Sequence, residues 1–143
     1  MKKPHLYCLL VVWLLAACSQ QSNAVTPTSE VKPFQIVLPT LKPEATAQGI
    51  PAALLTGVLE LNGTCVRVRT TNNTSFLIIW ASSFKLEGRS VVNIQRTQRI
   101  SFGDTVALGG GEMPDGWQFV TELALPLDKN CPGPYWLGGT IVD

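Results

Sequence analysis

The chain has 143 residues, 45% of them hydrophobic and 15% charged, with a formal net charge of +1. That length suits one domain and leaves no room for a second sizeable core, and so balanced a charge gives no electrostatic footprint for nucleic acid. In chain order, Lys2 and Lys3 form a positive tip, an apolar run Leu6–Leu15 (LYCLLVVWLL) follows, and Ala16-Ala17-Cys18 closes it. A basic tip, a short apolar segment and small residues before a cut make the pattern of a secretory signal peptide. A bilayer-spanning helix needs about 20 apolar residues, so residues 1–17 read as a signal peptide rather than a permanent anchor.

Leu15-Ala16-Ala17-Cys18 resembles the lipobox of bacterial lipoproteins. The resemblance implies that Cys18 becomes the first residue of the mature chain, because its sulfur is the nucleophile that takes up a diacylglyceryl group. Acyl chains contribute about 0.8 kcal/mol per buried methylene, so two or more hold a protein firmly to a membrane. In two-membrane bacteria an aspartate after the lipidated cysteine commonly keeps a lipoprotein in the inner membrane. Ser19 stands there, which favours the outer membrane. Cleavage would remove His5, the sole histidine, together with Cys8. With Cys18 lipidated, Cys65 and Cys131 remain as an even pair in an oxidising compartment and are expected to bridge. A loop of that length gives about 4 kcal/mol on the chain-entropy model.

Residues 18–49 read as a lipidated cysteine and a disordered tether: "SQQSNAVTPTSE" is polar and aperiodic, and Pro27, Pro33, Pro39 and Pro43 recur too often for a helix. Phe34, Ile36, Val37 and Leu38 are apolar enough to dock as an edge strand. From residue 50 to 143 the pattern is β. Asn62-Gly63 between two alternating runs predicts a two-residue hairpin turn, with Val66 and Val68 on one face and Cys65, Arg67 and Arg69 on the other. Thr71–Thr74 is a second turn, leading into "SFLIIW", a continuous apolar run suited to a central strand. Further strands are expected at Val91–Arg96, Thr105–Leu108, Trp117–Leu123 and Tyr135–Val142, with a helical turn within Ala81–Leu86. Gly103-Asp104 and Gly109-Gly110-Gly111 are turn or bulge signals.

The class is therefore all-β, a small barrel or sandwich of five to seven strands. Gly57-Val58-Leu59, Leu77–Trp80, Gly103–Val106, Leu108–Gly111 and Cys131–Trp136 resemble small secreted bacterial domains and an OB-type five-stranded barrel. The resemblance supports the β architecture and brings no catalytic residue with it.

Chemistry narrows by elimination. A mature chain without histidine cannot build Ser-His-Asp or Cys-His machinery, nor a histidine-ligated zinc site, and two cysteines cannot make a four-thiolate one. The triglycine run lacks the Lys-Ser/Thr of a P-loop. Glu60, Glu87, Asp104, Glu112, Asp115 and Glu122 show no spacing that pairs an acid with a base. The candidate ligand surface comprises Arg67, Arg69, Arg96 and Arg99, with Arg89 nearby, and the rings of Trp117, Tyr135 and Trp136, which suit sugar stacking as well as core packing. The expected protein is non-enzymatic and needs no cofactor or metal. It is anchored to the membrane through lipid in the bacterial envelope and binds a cell-wall glycan or an envelope protein. Two alternatives are an inhibitor of a wall-degrading enzyme such as lysozyme, and a minimal carboxylate hydrolase.

Overall fold

The computed structural model describes residues 35–114 and 121–142. The expected signal peptide, Cys18, most of the expected tether, Phe34, Asp115 and Trp117 lie outside the described residues. One short helix, α1 (Pro43–Ala47), precedes eight strands: β1 (Ala53–Asn62), β2 (Cys65–Arg69), β3 (Ser75–Trp80), β4 (Phe84–Glu87), β5 (Ser90–Asn93), β6 (Gln98–Ser101), β7 (Thr105–Glu112) and β8 (Tyr135–Val142).

Strands β1-β2-β3-β8-β7 close a barrel, with β7 returning to β1 and β3 running parallel to β8. This is the OB type of five-stranded barrel. Closure needs β1 to serve two partners: Val58 to Asn62 pair with β2, and Ala53 to Val58 pair with β7. Gly57 sits at the handover, where a Cβ would collide with the Arg69 carbonyl. Gly110 does the same for β7. The register shifts between Gly109 and Gly110, and a Cβ at Gly110 would strike the Leu137 carbonyl. The triglycine run is thus a bulge inside a strand, which bends the sheet and raises its twist.

Between β3 and β7 the chain inserts a separate sheet in the order β4-β5-β6. The helical turn expected within Ala81–Leu86 is a single turn, Phe84 N–H donating to Ala81 O at 3.1 Å, and Phe84 already begins β4. The strand expected at Val91–Arg96 stops at Asn93. The buried Asn93 side chain accepts hydrogen bonds from the N–H groups of Gln95 and Arg96, so it turns the chain there. The hairpin expected at Asn62-Gly63 forms one residue later. Asn62 pairs with Cys65, leaving Gly63-Thr64 as the loop with Gly63 at φ +61°, as a turn with glycine at its first central position requires.

Two apolar clusters flank the barrel wall. Val66, Val68, Ile78, Trp80, Val106, Leu108, Trp136 and Ile141 fill the inside, joined by Phe84, Val91 and Ile100 of the inserted sheet. Leu77, Ile79 and Leu137 point the other way, into a second cluster with Leu41, Ala45, Leu123 and Cys131. This outer layer comes from segments read in the sequence as something else. Residues 39–42 belonged to the expected tether, yet Leu41 N–H donates to Trp80 O at 2.8 Å and Lys42 N–H to Glu122 O at 2.7 Å. Thr46 Oγ1 in α1 accepts from Ser82 N–H at 3.1 Å. Pro43 opens α1 at a position where proline is tolerated, because the N–H it lacks has no partner in the first turn. The expected strand Trp117–Leu123 is, within the described residues 121–123, a turn with one isolated bridge from Leu123 to Leu41.

Candidate functional site

The residues of the sequence-derived ligand surface do not share one face. Arg67 is 7% exposed on the outer side of β2. Its guanidinium donates to Ser75 Oγ at 3.1 Å, Ser75 O at 2.6 Å, Pro132 O at 2.9 Å and Gly133 O at 3.4 Å. Burial lowers its pKa, while the nearby Glu60 and Tyr135 oppose that shift. Such a fork ties the 132–133 backbone to the barrel wall and engages four of the five guanidinium N–H groups in internal contacts. Arg69 is exposed and paired with Glu60 at 2.9 Å, and Ser75 Oγ completes the chain by donating to Glu60 Oε1 at 3.0 Å. Trp136 belongs to the core, edge-on to Phe76 at 6.0 Å between ring centroids. Tyr135 is half-buried against the outer cluster. Arg96 and Arg99 are exposed on the inserted sheet and its turn, Arg99 in an ion pair with Glu87.

The cysteine pair is joined. Cys65 at the start of β2 is bonded to Cys131, with Cα atoms 5.5 Å apart. Beside the bridge, Asp128 accepts from Asn130 N–H at 2.9 Å and from Thr64 Oγ1 at 3.0 Å. These two bonds, the backbone one foremost, hold the Asp128 carboxyl below its ordinary range. Disulfide, aspartate and Arg67 together fasten the segment before β8 over the outer face. Sequence reasoning assigned the bridge; the spacing of Arg67 to residues 132–133 gave no signal for the clamp.

The carboxylates considered as an acid–base pair are dispersed. Glu60 is engaged by Arg69 and Ser75, Glu87 by Lys85 and Arg99, and Asp104 accepts from Ser101 N–H in the turn before β7. Glu112 is exposed at the far end of β7. No group of three or more His, Cys, Asp or Glu able to hold a metal occurs among the described residues.

The open surfaces among the described residues include two that the internal contacts above leave unused. The first is an open groove of about 590 Å³ where the start of β1 meets β7 and the end of β8. Gly109, Gly110 and Gly139 line it, Leu54 and Val142 stand exposed beside them at 60% and 44%, and no lining residue is charged. This groove was not legible in the sequence beyond the triglycine run. The second is the solvent face of the inserted sheet. Lys85 and Arg99 lie across β4-β5-β6 from one another, on either side of Val92, and share Glu87 as their ion-pair partner. Phe84, Val91 and Ile100, on the opposite face, enter the core.

Fold, bridge and open surfaces define a disulfide-bonded OB-type barrel with an inserted three-stranded sheet. Comparison with protein-family models, curated proteins and solved structures finds no match to this chain.

Proposed function

We propose that this chain is a lipid-anchored envelope protein, held by Cys18. In this reading its barrel is a non-catalytic binding module that takes an apolar segment of another envelope protein in the β1–β7–β8 groove. The observation that carries this reading is the groove itself: about 590 Å³, uncharged, floored by glycines and flanked by exposed Leu54 and Val142. A wall polymer would be recognised by stacking rings or by charged and amide groups, and the groove is lined by none of these. An apolar side chain entering such a groove gains about 1.5–3 kcal/mol. The disulfide supports an extracytoplasmic compartment, and Ser19 favours the outer membrane in a two-membrane host.

The test places a photoreactive phenylalanine analogue at position 54 in intact cells. A discrete envelope-protein adduct, reduced roughly tenfold by Val142→Asp, is the expected result. Adducts that ignore Val142→Asp, or none at all, overturn the groove as the binding site. Mass measurement of the mature N-terminus tests lipidation at Cys18 independently. An inhibitor of a wall-degrading enzyme would show that enzyme as the adduct.

A further inference from the structure

We infer that the inserted β4-β5-β6 sheet docks, through its solvent face and the β5–β6 turn, onto an anionic lipid bilayer. This inference rests on the anchored reading above, which supplies the nearby membrane. It stands on a separation of charge within the folded unit. Residues 84–101 carry four cations, Lys85, Arg89, Arg96 and Arg99, against the single anion Glu87, whereas the other described residues carry four cations and six anions. One of those four, Arg67, is buried. The basic character of the surface is thus concentrated on the insertion. Glu87 is already shared by Lys85 and Arg99, and neither Arg89 nor Arg96 forms an ion pair among the described residues.

A cationic face alone would suit any polyanion; the turn selects a bilayer. Ile94, between β5 and Arg96, is 54% exposed. One exposed isoleucine needs no explanation by itself, but this one is rigidly presented. Its N–H donates to Ser83 O at 2.9 Å, which ties the turn to the segment that leads into β4. Asn93 Oδ1 holds the next two residues by their N–H groups at 3.0 and 3.3 Å. Gln98 Nε2 donates to Ile141 O at 3.2 Å and fixes the other side of the turn against β8. An apolar side chain held outward in the same turn as Arg96, at one end of a sheet face that carries Lys85 and Arg99 and has Arg89 at its other end, matches the bilayer interface, where apolar groups sink to the acyl boundary and cations meet lipid phosphates. The inner face of the sheet is committed to the core, so the outer face is the one free to dock. Four cations and one isoleucine make a weak contact on their own. A tether raises the local concentration of the membrane, so a weak contact becomes an orienting one.

The full chain, purified from cells and checked by mass for lipid at Cys18, is reconstituted into two kinds of vesicle. One contains phosphatidylcholine alone, the other phosphatidylcholine with phosphatidylglycerol. Hydrogen exchange of amides 94–97 is read in both. Slower exchange in the anionic vesicles only, reversed by high salt, is expected. Neutralising Arg89 and Arg96 to Gln should weaken the contact about fivefold per residue, and Ile94→Ser should weaken it further without altering the protein's melting temperature. Equal exchange in both vesicles overturns the inference even when the lipid mass is present. Equal slowing by a soluble polyanion without lipid overturns it in favour of a wall polymer. A missing lipid mass strikes the anchor reading, and vesicle co-sedimentation of the same chain then decides the docking surface separately.

Discussion

On β3 of the barrel, Ile78 and Trp80 face one apolar cluster while Leu77 and Ile79 face another, whereas on β6 of the inserted sheet only Ile100 is buried. The barrel wall is covered on its outer side by residues 39–45 and 121–131 and fastened there by Cys65–Cys131 and Arg67. On the outer side of the insertion Lys85 and Arg99 are exposed, flanking Val92, which is itself buried. The two regions share a single inner core, since Trp80 of β3 lies 4.9 Å from Phe84 of β4 between ring centroids. The difference teaches where each region is free to act. Charges on the covered wall are held in internal contacts; on the inserted sheet Lys85 and Arg99 share Glu87, and Arg89 and Arg96 are available to a surface.

Removing the bridge should have the largest effect. Replacing Cys65 and Cys131 together by Ala is expected to cost about 4 kcal/mol in urea denaturation. Because both regions draw on one core, the loss should appear as a single transition. A first transition confined to one region would break the picture of a shared core.

Next comes the clamp. Arg67→Met leaves the carbonyls of Ser75 and Pro132 without their donor, at an expected cost of about 2–3 kcal/mol. Arg67→Lys should not restore it, since an ammonium lacks the planar fork. Full stability in either variant would show that Arg67 is not structural and return it to the ligand surface.

The smallest effect belongs to the inserted sheet. Hydrogen bonds from Lys85 first, then Arg99, hold the Glu87 carboxyl below its ordinary value of 4.5. A lowered carboxyl pKa stabilises the fold above the unfolded value, and that contribution disappears as pH falls through the folded one. Glu87 lies at the surface with its side chain 38% exposed, so screening keeps the effect small. The gap in melting temperature between the protein and Glu87→Gln should be slight at pH 7 in low salt. It should close as pH drops below 4.5, and close again at high salt. A large gap that persists in salt would mean the outer face of this sheet is covered after all.

Much of the barrel could be read along the chain, because its signals are local. Val66 and Val68 alternate with Cys65 and Arg67 as their period demands, and β3 and β8 stand where they were expected. The hairpin turn shifted by one residue because glycine fits the first central position of the loop as well as the second. The continuous run SFLIIW carried one further message, that a strand apolar on both sides needs cover on both. Which residues supply that cover was not written locally. Leu41 and Leu123 sit in segments with no period of their own, and their pairing is a long-range contact.

Composition and order of residues alone determined the class and the bend at the triglycine run, since each follows from local sterics, whereas the expectation that Cys65 pairs with Cys131 came from the lipobox resemblance, which sets Cys8 and Cys18 aside. Tertiary structure decided the fate of the arginines. Arg67 and Arg69 are spaced by two on one strand face, yet the first is buried under residues 132–133 and the second pairs with Glu60 at the surface. Nothing within β2 distinguishes them. The burial of Arg67 alone depends on chain that returns more than sixty residues later, beside Cys131, which is bonded to Cys65 across a separation of 66 residues.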